Sequence, residues 1–370
     1  MEKRICVSTP SRICLFGEHQ DYLGLEVVAS AINVRFYANT VPREDKVIRV
    51  LLSDEVTEID ITQPITYTNN RDYLRSSLNV LLNHGCEFSN GYNIDMDSEI
   101  PIGKGMCSST TMVIVFIKSL LESIEHPDKD KPDIIANLGF EAEVTEFNEP
   151  GGLMDHYASA FGGFVHLVFN KDETVVNPLN TQIEGKFILF DSLQDKDTTK
   201  VLASAKTPVL KALDDLSVYG IKSIRDFVND ESKVELLDKL DDNIKVKVLA
   251  NIDNYKILLE GKKMIEQGDI DPIKLGALIT RHHNNLRDGL GISTPIIEEI
   301  MNTALENGAL GGKINGSGGG GCCYVYVKDE DCDKIVNAVE ALGYPAIVLS
   351  QDSGVRLDKI EEIEDIRREN

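Results

Sequence analysis

The sequence predicts an α+β chain folded as two mixed domains. Its 370 residues exceed one ordinary core at roughly 150 residues per domain. The first 60 residues read mostly as strands, whereas 208–307 carries repeated i, i+3, i+4 apolar spacing and reads as helices. A polar stretch at 170–186, rich in Asp, Asn, Lys and Pro, separates the two halves and reads as the domain connection. The boundary is therefore expected within it, with domains at 1–178 and 179–370.

Each element follows from local pattern. Ile13-Cys14-Leu15-Phe16 is a short apolar run, and 25–41 is rich in β-branched and aromatic residues, so both read as strands. A polar loop, 17–24, lies between them. Tyr73–Asn83 has helical spacing, and 92–97 alternates like a strand. A glycine-containing loop at 101–109 leads into an apolar helix at 110–124, which ends before Pro127. A helix at 134–147 closes at Asn-Glu-Pro-Gly-Gly (148–152); a short helix (153–160) and a strand (164–169) follow. The second half opens with a strand at 186–191. Its last long helix starts at Ser293-Thr294-Pro295, a hydroxyl cap followed by proline, with Glu298 and Glu299 near the positive end of the dipole. A glycine run (316–321), a strand (322–327), a helix (332–342), a strand (345–349) and a charged, solvated tail complete the chain.

Composition narrows the function. There are 38 basic and 61 acidic side chains, a formal charge of −23. A nucleic-acid surface needs a basic stripe, and an anionic membrane attracts basic clusters, so neither partner is expected. No apolar run approaches the ~20 residues of a membrane helix. The first 16 residues have no apolar core with a small-residue cleavage site, so they do not read as a signal peptide. The seven cysteines are scattered and contain no C-x-x-C pair; free thiols in a reducing cytoplasm are the simplest reading. Cys322 and Cys323 read as buried thiols, and His282-His283 as a helix surface.

Four segments carry candidate chemistry. Pro101-Ile-Gly-Lys-Gly-Met-Cys-Ser-Ser-Thr110 stands between a strand and a helix. Gly103 and Gly105 allow close backbone approach, and Ser108 and Ser109 sit where free N–H groups and the dipole favour an anion. Taken alone, the segment reads equally as an ordinary capped loop. Gly311-Gly-Lys-Ile-Asn-Gly-Ser-Gly-Gly-Gly-Gly321 is mostly glycine, costs backbone entropy on folding, and leads into an apolar strand, so something requires its bare backbone. In Ser11–Tyr22, Arg12, Glu18, His19 and Asp21 crowd donors and acceptors suited to a polyhydroxylated ligand; alone, they also fit a solvated loop with an ion pair. Glu143 and Glu146 are i, i+3 neighbours, and one could serve Mg²⁺. Asp155, at a helix start, could be a first-turn dipole partner or a catalytic acid/base.

In this order and spacing the segments resemble the GHMP small-molecule kinases, and within them the galactokinases. That family carries R-x-x-x-x-G-E-H-x-D-Y-x-G, P-x-G-x-G-x-x-S-S and G-x-G-x-G-G motifs; this chain has residues 12–24, 101–109 and 316–321 at the matching places. Gly152-Leu-Met-Asp-His156 and Asn285-Leu-Arg-Asp-Gly-Leu-Gly-Ile-Ser-Thr-Pro295 are also similar to galactokinase segments. The resemblance implies an N-terminal domain like ribosomal protein S5 domain 2, a ferredoxin-like C-terminal domain, and an active site in the cleft between them.

The implied activity is transfer of the γ-phosphate of ATP, with Mg²⁺, to the O1 hydroxyl of a galactose-like sugar. Gly103, Lys104, Gly105, Met106, Cys107, Ser108 and Ser109 would wrap the ATP phosphates, with Gly316 and Gly318 shaping the site from the second domain. Ser109 and Glu143 would hold Mg²⁺. Asp155 would accept or orient the hydroxyl proton, steadied by Arg12, and Glu18, His19 and Asp21 would bond the sugar. The adenine is expected near residues 60–90. A cytoplasmic monomer or weak homodimer is expected, with sugar and ATP as its small-molecule partners.

Departures from the galactokinase pattern fall at Gln20, 27–30, Cys107, Thr110, Gly151 and His156, and most are expected at the sugar pocket. They admit other sugars such as galacturonate, arabinose, fucose or a heptose, and a mevalonate-like alcohol is a further alternative. A non-catalytic sugar sensor would be marked by loss of Arg12, Asp155 or the serines, and all are present.

Overall fold

The computed structural model describes residues 2–149, 151–170, 174–181 and 183–363. Pro150 of the predicted 148–152 bend, residues 171–173 and 182 of the predicted connection, and the tail beyond 363 lie outside the described residues. Two sheets organise the chain, and the mixed α+β class holds.

The first sheet contains β1 (Glu2–Phe16), β2 (Val27–Pro42), β3 (Val47–Leu52), β4 (Glu55–Asp60), β5 (Tyr92–Ser98), β6 (Phe164–Phe169), β7 (Thr174–Pro178) and β12 (Arg356–Ile363). Its order is β12-β1-β2-β5-β3-β4, and β6 and β7 extend from β2. All pairs are antiparallel except β3 with β5. The second sheet has the order β11-β8-β10-β9, from β8 (Lys186–Asp191), β9 (Gly311–Ile314), β10 (Cys322–Val327) and β11 (Ala346–Leu349).

The helices are α1 (Tyr73–Asn83), α2 (Ser108–Ser123), α3 (Pro132–Phe140), α4 (Met154–Phe161), α5 (Thr198–Asp215), α6 (Arg225–Asn229), α7 (Asp242–Gln267), α8 (Pro272–Asn284), α9 (Pro295–Glu306) and α10 (Cys332–Glu340). Helix α2 lies against β1 and β2 and buries Ile114, Phe116 and Ile117 completely. Each such side chain contributes roughly 1.5–3 kcal/mol of transfer free energy. That packing holds the first turn of α2 still, which matters because the site is built on it. Thr294 caps α9 as its spacing predicts, accepting from the Ile297 N–H at 3.3 Å.

Three expectations need correction. The predicted connection contains β7, which pairs with β6 and so belongs to the first sheet. The predicted solvated tail contains β12, which pairs with β1. Buried Arg35 makes that return possible: it donates to Ser8 Oγ at 2.8 Å, Asp352 Oδ2 at 2.7 Å and the Gly354 carbonyl at 2.8 Å. The strand is mostly charged, with Leu357 and Ile360 three residues apart, so no two-residue alternation marks it among ionic side chains. Finally, His282 and His283 are buried rather than on a helix surface. The His282 ring approaches the Leu15 carbonyl, while His283 accepts from the Ile314 N–H at 3.2 Å and meets Glu298 at 2.9 Å, so this end of α8 is clamped between the two sheets.

Candidate active site

Two glycine-containing loops meet where the halves of the chain face each other. A Cβ on Gly316 would come 2.6 Å from the Gly105 carbonyl oxygen, and one on Gly105 would come 2.8 Å from the Asn315 carbonyl oxygen. Both glycines have positive φ, 83° and 72° for Gly105 and Gly316. Only bare backbone fits there. Side-chain bonds seal the contact: Asn315 donates to the Gly105 carbonyl at 3.2 Å and accepts from the Cys14 N–H at 3.1 Å.

Helix α2 begins at Ser108, directly after this contact. Cys107 before it holds φ 47°, left-handed, and offers the helix no side-chain cap. The first-turn N–H groups are thus left for another acceptor, and the dipole favours a negative one. The Cys107 thiol is buried between Ser11 and Ser159, and burial pushes it up to about 11, so it is no nucleophile.

A cavity of about 420 Å³ opens in front of this turn, lined by Gly103, Gly105, Cys107, Ser108 and Ser109 on one wall and by Gly316 and Ser317 on another. Arg12, near the end of β1, joins the parts. It donates from Nε to Asp155 Oδ1 at 2.8 Å and from Nη1 to the Gly105 carbonyl at 3.2 Å. Burial opposes its charge, but Asp155 beside it holds the guanidinium above the ordinary arginine value. Asp155 is in the first turn of α4 and faces the same cavity.

Glu143 also lines the cavity. The helix α3 widens into a π turn over Glu141–Thr145, which separates Glu143 from Glu146. Glu143 points inward, whereas Glu146 bonds the Tyr67 hydroxyl outside, so the pair does not act as one face. Burial alone would raise Glu143; His156, Ser109 and Thr110 together hold it below the ordinary glutamate value. Thr110 donates to it at 2.7 Å, and His156 Nε2 stands 2.9 Å away, off the line of a good hydrogen bond.

The polar motif at 17–22 is not a solvated loop. Glu18 is 2% exposed and pairs with fully buried Lys313 at 2.7 Å. His19 uses both ring nitrogens: Nε2 donates to the Ser317 carbonyl at 3.1 Å, and Nδ1 accepts from the Tyr22 hydroxyl at 2.9 Å. Burial lowers His19 to about 4, so the ring is neutral near pH 7. Among the described residues Asp21 is the carboxylate of this motif that forms no ion pair; it accepts from the Tyr22 N–H at 2.9 Å. Its room comes from Gly152, where a Cβ would fall 1.7 Å from Asp21 Oδ2.

Burial, then the charge of Asp155, pushes Asp21 up from 3.8 to about 6. The folded chain therefore binds the Asp21 proton more tightly than the unfolded chain between about pH 4 and 6, and stability falls as pH rises through that window. Asp21→Asn is expected to raise the melting temperature at neutral pH and to leave it little changed in acid. Thermal melts across the window check this; an unchanged neutral melt contradicts it.

Some expected residues lie elsewhere. The Lys104 ammonium turns away from the cavity to the Gln194 carbonyl at 3.1 Å, near Asp191 and Asp195. Met106 is buried beneath the loop. Gly318 packs on Ile292 rather than lining the cavity. Gln20 donates to the Asn251 carbonyl of α7, so that departure touches α7 and not the expected sugar pocket. Arg71 and Tyr73 line the cavity from within the stretch where the adenine was expected, whereas Lys196, Ser317 and Leu202 line it but were outside the expected set. Lys196 stands in a polar stretch without spacing or glycines to mark it, whereas the position of Lys313 at the head of the glycine loop was a usable signal.

Comparison with known proteins agrees with this geometry. The description "GHMP kinases N terminal domain" matches residues 72–163, "GHMP kinases C terminal" matches 264–345, and the "Galactokinase galactose-binding signature" matches 1–40; together they take up more than half of the chain. Mevalonate kinase of Thermococcus onnurineus is 26% identical, over 96% of this chain and 99% of that protein. Galactokinase of Clostridium perfringens is 24% identical, over 91% and 90%. Among solved structures, Lactococcus lactis galactokinase with galactose superposes with a TM-score of 0.81 at 21% identity, covering 96% and 95% of the two chains. Methanococcus jannaschii mevalonate kinase gives 0.72 at 20% identity, covering 95% and 99%.

Fold, cleft and matches together define a small-molecule kinase. The chain belongs to the GHMP kinase family and carries the galactokinase signature at its N-terminus.

Proposed function

We propose that the chain is an ATP-dependent sugar kinase that phosphorylates O1 of a galactose-like monosaccharide. One observation carries the reading: Arg12 bonds both Asp155 and the loop that precedes α2, so a carboxylate and an anion-seeking helix mouth share one cavity. The terminal phosphate takes the N–H groups of the first turn of α2, with Ser108 and Ser109 beside it. Tyr73, Ile102 and Leu202 supply apolar surface for the adenine. The acceptor hydroxyl lies between Asp155 and the phosphate.

Asp155 orients that hydroxyl and receives its proton. The hydroxyl oxygen bonds to the γ-phosphorus as the bond to the β–γ bridging oxygen breaks, and ADP leaves with the bonding pair. Such transfer depends on positioning and on neutralising oxygen charge, which Arg12 and the helix N-terminus provide. Ser109 and Glu143 are adjacent hard oxygen donors, a set that fits Mg²⁺, an ion that takes few protein ligands alongside phosphate and water. Bound there, Mg²⁺ would neutralise phosphate charge. His156 and Thr110 hold the Glu143 carboxylate in place for it.

Asp21 favours the sugar. It is a half-buried acceptor with a free lone pair, beside Asp155, and suits a hydroxyl better than an acid. The galactose-binding signature over 1–40 supports the same choice. A second reading, a mevalonate-like acceptor, is favoured by the higher identity of the Thermococcus mevalonate kinase. ADP release measured against galactose, galacturonate, arabinose, fucose, a heptose and mevalonate decides between them. Galactose or a close relative is expected to give the highest kcat/KM. Preference for mevalonate replaces the sugar reading, and no turnover with any acceptor overturns the kinase reading.

A further inference from the structure

Buried histidines in this chain have their nitrogens occupied. His19, His166 and His283 use both, and His282 uses one. His156 differs. It is 1% exposed, yet neither ring nitrogen has a hydrogen-bond partner among the described residues. Nε2 stands 2.9 Å from Glu143 Oε2, but the two are not aligned as donor and acceptor. The ring is fixed in this pose. It packs edge-to-face on Phe140, with centres 5.5 Å apart, and a Cβ on Gly139 would come 3.3 Å from its Cδ2. His156 directly follows Asp155, and both line the cavity with Ser109 and Glu143. A buried imidazole with two idle nitrogens is unfavourable, so a partner outside the chain is expected to take one of them.

We propose that His156 Nε2 is itself a ligand of the divalent cation, beside Glu143 and Ser109, and that it makes the site prefer Mn²⁺ or Co²⁺ to Mg²⁺. Two neighbouring ligand atoms on one ion stand about 3 Å apart when each metal bond is about 2.1 Å long. The 2.9 Å between Nε2 and Oε2 fits that spacing, and the absence of a hydrogen bond between them leaves the nitrogen lone pair available. Thr110 donates to the same carboxylate oxygen at 2.7 Å, so the carboxylate is held without help from the imidazole. Mg²⁺ is a hard ion that takes oxygen ligands, whereas an imidazole nitrogen raises affinity for the later first-row ions. His156 is also one of the positions where this chain departs from the galactokinase pattern, so the altered preference belongs to this chain.

This assignment rests on the kinase reading, and pulsed electron paramagnetic resonance on bound Mn²⁺ separates the two. Inorganic tripolyphosphate replaces ATP, so that no nucleobase nitrogen can reach the ion. The wild-type complex is expected to show coupling of Mn²⁺ to a directly bound nitrogen, and His156→Gln is expected to lose it. Mg²⁺ is then added to displace Mn²⁺. In His156→Gln the displacement is expected to need at least roughly 10-fold less Mg²⁺ than in wild type, the lower end of the range for disturbing a ligand's surroundings. A wild-type spectrum without nitrogen coupling overturns the assignment with no variant needed, and coupling that survives in His156→Gln overturns it equally. An unchanged Mg²⁺ midpoint overturns the metal preference. A chain that binds ATP but no Mn²⁺ loses this assignment alone, whereas one that binds neither overturns the kinase reading and this assignment with it.

Discussion

Asp155→Asn is expected to lower kcat by roughly 100- to 10,000-fold, the range for loss of a positioned general base, while ATP affinity stays near wild type. The amide keeps the size of the side chain, so the cavity and the Arg12 contact survive in outline. It loses the negative charge that receives the hydroxyl proton. In the proposed function the nucleotide is gripped elsewhere, by the backbone at the start of α2, so binding and turnover should separate. Single-turnover kinetics together with ATP titration reads both. Full turnover in Asp155→Asn removes Asp155 from the reaction; loss of ATP affinity to the same degree makes it a structural residue.

Lys313→Met is expected to destabilise the chain by about 3–5 kcal/mol, because it leaves Glu18 as a buried charge without its partner. Lys313 is fully buried and also bonds the Cys14 carbonyl at 2.9 Å, with its ammonium 5.3 Å from the Tyr324 ring centre. Burial alone would raise Glu18, yet Lys313, then Arg12, hold it below the ordinary value. The intact pair need not contribute much by itself; the orphaned carboxylate is what costs. Adding Glu18→Leu to Lys313→Met should therefore restore part of the loss. Denaturant midpoints of the single and double variants test this. A single variant as stable as wild type, or a double variant weaker than the single, contradicts it.

Much of the fold and the site could be read before the structure. The loop before α2 was legible because glycine and serine at a helix start have few physical uses, and the positions of α4 and β6 followed from plain periodicity. The return of β12 was not legible. Its residues 356–363 are mostly charged and lack a two-residue alternation, and the anchor that guides them, Arg35, is over 300 residues away. The π turn at Glu141–Thr145 escaped for a different reason: helical spacing counts residues but does not show an added one, so Glu143 and Glu146 looked like neighbours on one face. Lys196 and Asp21 mark the limit at the site itself. Asp21 was visible as part of a crowded motif, but its unpaired state depends on Glu18 being taken by Lys313, a contact between residues 295 positions apart. That Lys196 lines the cavity depends on how the segment after β8 folds back onto the loop before α2, and no local pattern records that.

The central claim is that the start of α2 grips a triphosphate facing Asp155. A crystal structure with a non-hydrolysable ATP analogue, Mg²⁺ and galactose tests it most directly. The account predicts the terminal phosphate on the N–H groups of Ser108 and Ser109, with the acceptor O1 between it and Asp155. A nucleotide anchored away from α2, or an acceptor hydroxyl turned from Asp155, would contradict it.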